Sequence, residues 1–147
     1  MTAHRRDLED LRGEIQELFA DLWQVPGFAG LRRAYRPQCD CFRTDDPPVL
    51  HVVVELPGVD PDTIEVAAVG QALTIAGSRP RPIVPGARYQ TMEIEYGAFE
   101  RQVRLAEDVD PEHAQARFER GVLTIELPVV ETAPPAGRYR ITVERIS

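Results

Sequence analysis

Between Pro37 and Val130, apolar and polar residues alternate in short runs divided by Pro, Gly and Asp, the pattern of half-buried β-strands joined by tight turns. Leu50, Val52, Val54 and Leu56 interleave with His51, Val53 and Glu55, and Pro57-Gly58 ends the run. Ile64, Val66 and Ala68 mark a second strand, which Gly70-Gln71 turns back toward Leu73 and Ile75 as a hairpin. Phe99, Val103 and Leu105 mark another strand, and Ala114, Ala116 and Phe118 lead through Arg120-Gly121 into Val122, Leu123, Ile125 and Leu127. About seven strands in this span predict an all-β, immunoglobulin-like β-sandwich.

The period changes on either side. From Asp7 to Gln24, Leu8, Leu11, Ile15, Leu18 and Leu22 recur at spacings of three and four, widened by Phe19 and Trp23, which predicts an amphipathic helix stopped by Pro26-Gly27. Its apolar stripe packs either on the chain's own core or on another chain. Beyond Leu127, Glu131 to Gly137 reads as a linker, followed by the short alternating tail Arg138-Tyr139-Arg140-Ile141-Thr142-Val143. The chain therefore divides into a helical N-terminal arm at 1–36, a sandwich at 37–130 and an extended C-terminal tail at 131–147.

One stretch fits no core strand. Arg79 to Gly86 holds three prolines, which remove ladder donors and fix the backbone, so it projects as an arm. After it, Tyr89, Thr91, Glu93 and Glu95 alternate with Gln90, Met92 and Ile94, a strand-like segment free to pair with another chain.

Composition narrows the function. A net charge of -7 argues against a nucleic-acid partner, whose phosphates need clustered Lys and Arg. No run of about 18 apolar residues predicts a membrane span, and the N-terminus has no apolar signal-peptide core, so a cytoplasmic location is expected. Cys39 and Cys41, one residue apart, share a face if their stretch is a strand. They read as ordinary strand cysteines, with a two-Cys site completed by His51, or oxidation sensing, as the alternatives. His4, His51 and His113 are scattered, and neither GxGxxG nor GxxxxGK[ST] occurs. The acidic residues of Asp60-Pro61-Asp62 and Asp108 to Glu112 read as turn chemistry. No catalytic constellation, metal site or cofactor site is expected.

Four motifs then carry a resemblance. Val54-Glu55-Leu56-Pro57-Gly58-Val59 with Ile64-Glu65-Val66, Leu73-Thr74-Ile75-Ala76-Gly77, Gly97-Ala98-Phe99-Glu100-Arg101, and Ala116 to Ile125 with Gly121-Val122-Leu123 resemble, in order and spacing, the α-crystallin domain of bacterial small heat-shock proteins. Arg120 stands where that family commonly has Asn, and Ala106 where it commonly has Pro. The resemblance implies an ATP-independent chaperone that holds unfolded client proteins and works as dimers assembling into larger oligomers. It implies that the arm segment of Tyr89, Thr91, Met92, Glu93 and Ile94 pairs with a partner's edge. Ile141 and Val143, as an I-x-I/V tail, would dock in a neighbouring subunit's groove between Ile64, Val66 and Ala68 on one side and Ala114, Ala116 and Phe118 on the other. Clients would meet the stripe of Leu8, Leu11, Ile15, Leu18, Phe19, Leu22 and Trp23. A non-oligomeric adaptor of the same fold is the competing reading.

Overall fold

A computed structural model describes residues 35–147. Alternation builds its strands: β1 (Cys39–Thr44), β2 (Val49–Glu55), β3 (Glu65–Val69), β4 (Ala72–Arg79), β5 (Gly97–Arg104), β6 (Gln115–Glu119) and β7 (Val122–Pro128), with the tail adding β8 (Arg138–Ile141) and β9 (Val143–Ile146). In β2 and β7 every second side chain is buried, so each strand gives one face to the interior. The strands form two sheets, ordered β1-β2-β7-β6-β9 and β5-β4-β3-β8. All pairings are antiparallel except β6 with β9.

The core lies between the sheets. Leu73 and Ile75 meet Val52, Val54, Leu56, Leu123, Ile125 and Leu127, all fully buried. Burial of each such side chain contributes about 1.5–3 kcal/mol, enough in sum to hold the sheets face to face. Phe99 lies over Gly77, where a Cβ would come within 2.8 Å of its ring. Tyr35, ahead of the first strand, also belongs to the core at 6% exposure.

The turns follow local chemistry. The Asp60 side chain accepts from the Asp62 N–H at 3.0 Å, and Asp110 accepts from Glu112 at 3.0 Å, each capping a single 3₁₀ turn that begins with Pro. Between β6 and β7, Arg120 and Gly121 both have positive φ, 52° and 78°, the requirement of a two-residue type I′ hairpin turn. Asn tolerates this conformation and a long side chain resists it. Arg120→Asn is therefore expected to stabilise the domain by about 0.5–1 kcal/mol, read as a melting temperature higher by about 3–5 °C.

Candidate functional site

Two features of the sandwich can engage other chains: a groove along one side and an open edge with a projecting arm on the other. The groove runs between β3 and β6, and the tail fills it. β8 pairs with β3, placing Ile141 opposite Val66, and β9 pairs with β6, placing Val143 opposite Ala116. The chain thus crosses from one sheet to the other at Thr142, and the two apolar tail residues straddle the seam. Ile141 is 4% exposed and joins the core cluster, with Val143 partly buried against it.

The groove walls contain the six positions named from the sequence. Val66, Ala68 and Ala116 are buried, Ile64 is buried at the end of the 3₁₀ turn before β3, and Ala114 and Phe118 pack partly buried against the core. Exposed ion pairs flank the tail, Arg140 to Glu65 at 3.2 Å and Arg145 to Asp62. Such exposed pairs add at most about 1 kcal/mol each, so the apolar contact dominates. The Tyr139 hydroxyl donates to the Pro135 carbonyl at 2.7 Å and steadies the linker's return. The expectation above put the tail in a neighbour's groove. In the single chain it closes the groove of its own domain, the linker from Glu131 to Gly137 being long enough to turn the chain back.

At the far side of the sheet that holds β6, β1 pairs among the described residues only with β2, and its outer edge is open there. Phe42 is 49% exposed there and stacks on His51, with ring centroids 4.7 Å apart. The arm between β4 and β5 belongs to neither sheet. Tyr89, Thr91, Met92, Glu93 and Ile94, strand-like in sequence, form no strand here: a strand needs a hydrogen-bonding neighbour, and among the described residues they pair with none. Ile83, Val84, Tyr89 and Ile94 are exposed, Ile83 at 92%. So much uncovered apolar surface on one loop marks an interaction element.

Arginines and tyrosines organise the base of the arm, which no sequence pattern signalled. Arg79 lies 3.6 Å above the Tyr35 ring and within 5.7 Å of Tyr96, and Arg81 lies 4.9 Å from Tyr96 and 5.6 Å from Tyr89. Arg79 also donates through Nε to the Glu95 carbonyl at 2.7 Å and through Nη1 to that of Pro57 at 3.3 Å. Desolvation pushes the Tyr35 phenol up from its ordinary pKa, against the lowering effect of Arg79.

The remaining candidates separate. Cys39 and Cys41 lie opposite Val54 and Val52, whereas His51 lies opposite Phe42, so alternation puts the imidazole on the other face from both thiols. His51 bonds Thr44 instead, Nε2 to Oγ1 at 2.8 Å. Burial, then the neighbouring Cys39, pushes the Cys41 thiol up, away from the reactive thiolate. Among the described residues no three His, Cys, Asp or Glu side chains gather to hold a metal. His113 bonds Asp110 at 2.6 Å. Desolvation raises the Asp110 carboxyl, but the His113 contact and the backbone N–H groups outweigh it and hold it below its usual range. Among the described residues no helix is long and apolar enough to cross a membrane. Leu8, Leu11, Ile15, Leu18, Phe19, Leu22 and Trp23 lie outside the described residues.

Comparison with known proteins agrees with this architecture. The Hsp20/alpha crystallin family matches residues 44–144. The chain is 33% identical over 141 residues to the alpha-crystallin of Mycobacterium tuberculosis (strain ATCC 25618 / H37Rv), covering 93% of this chain and 92% of that one. It is 37% identical over 83 residues to the 18 kDa heat shock protein of Streptomyces albus G, 56% of this chain and 58% of that protein, under two thirds of that relative's length. The solved structure of heat shock protein 16.0 from Schizosaccharomyces pombe superposes with a TM-score of 0.60 at 27% identity, covering 70% of this chain and 94% of that one.

Proposed function

The chain belongs to the Hsp20/alpha crystallin family, and from that premise we propose that it is an ATP-independent holdase, binding partly unfolded proteins and preventing their aggregation. The observation that carries this is the arm: a segment with Ile83, Val84, Tyr89 and Ile94 exposed, on a domain whose strand β1 has, among the described residues, an unpaired outer edge. Two copies would dimerise by laying the arm of one along the edge of the other, a strand addition. β1 is the edge left for it, since β8 and β9 are the tail and β5 is the strand into which the arm itself returns.

Tails would then exchange between copies. Ile141 and Val143 together contribute roughly 3–5 kcal/mol gross, less the entropy of ordering the linker. A single contact of that size is reversible, and many in one assembly are collectively firm. The N-terminal stripe from Leu8 to Trp23 would hold clients, since hydrophobic attraction is non-directional and needs no shaped site. The net charge of -7 helps keep such complexes dispersed. Neither nucleotide nor other cofactor enters this mechanism, no catalysis is assigned, and the cytoplasm is the compartment we assign.

The self-docked tail favours a second reading, a monomeric adaptor whose groove is already satisfied. Native mass and ATP-free suppression of client aggregation, measured on the intact chain, separate the two. A holdase is expected to run as dimers and larger species and to suppress aggregation near stoichiometric amounts. A monodisperse monomer without suppression would overturn that reading and support the adaptor.

A further inference from the structure

The arginine at the root of the arm touches more than the arm. Arg79 is the last residue of β4, and its Nε and Nη2 both reach the carbonyl of Glu95, where the chain re-enters β5. One side chain therefore ties the two ends of the arm together. The same guanidinium lies 3.6 Å over the ring of Tyr35, the core residue ahead of β1. Tyr35 is fixed from two other sides: its hydroxyl donates to the Glu55 carbonyl at 2.8 Å, and its ring meets Phe99 edge-on at 5.4 Å and 87°. Phe99 is itself seated over Gly77. Toward the arm the stack continues through Tyr96, Arg81 and Tyr89, and Arg81 keeps one buried Nη2 without a hydrogen-bond partner among the described residues. Arg79 itself is fixed by three hydrogen bonds to the carbonyls of Glu95 and Pro57.

We propose that Arg79 is a positioning residue linking the arm to Tyr35, so that a change in the arm's position alters how firmly Tyr35 is held in the sandwich. The geometry requires this in one direction and thermodynamic reciprocity in the other: if seating the arm strengthens the Tyr35 stack, fixing Tyr35 favours that seat of the arm. The consequence rests on the reading above, in which the arm engages a second copy and the N-terminal region holds clients, because dimerisation and client access would then be coupled through one guanidinium. The contact itself does not need that reading.

Trypsin cleavage of the full chain tests it, at the bonds after Arg33 and Arg88, on either side of the relay. Both Arg79-Pro80 and Arg81-Pro82 resist the protease, so the arm is read at Arg88 alone. Arg79→Met is expected to speed cleavage after Arg33 about tenfold, and Tyr35→Leu to speed cleavage after Arg88 similarly, the size of a partly desolvated cation–π contact. Cleavage after Arg117, in β6, reports general unfolding, and because Tyr35 belongs to the core, the rates at Arg33 and Arg88 are read relative to it. Tyr35→Phe keeps the stack and loses only the hydroxyl bond, and is expected to match the parent. The double variant Tyr35→Leu/Arg79→Met is expected to be no faster than either single change. Unchanged rates at Arg33 in Arg79→Met, additive effects in the double variant, or a Phe variant as fast as Leu would each overturn the relay. Cleavage rates need no second copy, so a monomeric chain would remove the dimer reading and leave this one to be judged separately.

Discussion

Replacing both tail residues, Ile141→Ala/Val143→Ala, is expected to collapse large assemblies to dimers while leaving the sandwich folded. Ile141 is 4% exposed and sits opposite Val66, so truncation removes its apolar contact and leaves a void that the rigid β3–β6 wall closes poorly. The combined loss is about 3–5 kcal/mol per tail, or roughly 150- to 4000-fold in each docking constant. In an assembly held by many tails the factor applies at every contact, so the higher species vanish before the dimer is touched. Native mass spectrometry reads this directly. The tail docks on its own domain in the single chain, which adds a second expected result, a lower melting temperature of the isolated dimer. A lower melting temperature with unchanged large assemblies would mean that the tail serves only its own domain.

The tail also shows where sequence stops being informative. Alternation identified β2, β4, β6 and β7 because each turns one face to the core, and β3 although Ala67 is buried on its other face as well; the hairpin turns at Gly70 and Gly121 were marked by the residues that positive φ selects. The same alternation at Arg138 to Val143 predicted an apolar strand without saying whose groove it enters, since a side chain meets the same surface on its own domain as on a copy. From Tyr89 to Ile94 it predicted a strand that the single chain does not form, because periodicity describes side chains and a strand requires a backbone partner. The parallel pairing of β9 with β6 had no signal at all. Nor had the stack of Tyr35, Arg79, Tyr96, Arg81 and Tyr89, whose members are spread over 62 residues of sequence and meet only when β4 and β5 pair. Arg120 was the converse case: a departure from the family's Asn, visible in the sequence, whose positive φ only the structure shows.

Thr91→Pro/Glu93→Pro, or the same change one residue further on, is expected to abolish dimers without weakening the domain. Both residues are exposed, and no backbone hydrogen bond joins 90–94 to the rest of the described chain, so removing two N–H donors there costs the folded monomer nothing in hydrogen bonding. Proline also suits an extended loop, where it restricts the unfolded chain and is neutral or slightly stabilising. Laid along β1 of a second copy, the same segment must donate alternate N–H groups to the edge, and one of any two adjacent residues faces it. Residues 91 and 93 share a side, so two donors are lost together if that side faces the edge. If it does not, the rings themselves face away and only the intervening donors of Gln90, Met92 and Ile94 matter. Met92→Pro/Ile94→Pro is therefore made alongside, and one pair or the other must lose the dimer. Each lost ladder bond leaves an acceptor on the edge unpaired, and two of them cost about 2–4 kcal/mol, a dimer constant weaker by roughly 30- to 1000-fold. Sedimentation over a dilution series measures it, with thermal melting as the check that the sandwich is intact. If both pairs keep the parent's dimer constant, strand addition by the arm is not how this chain self-associates, and the exposed residues Ile83, Val84, Tyr89 and Ile94 must be covered in some other way.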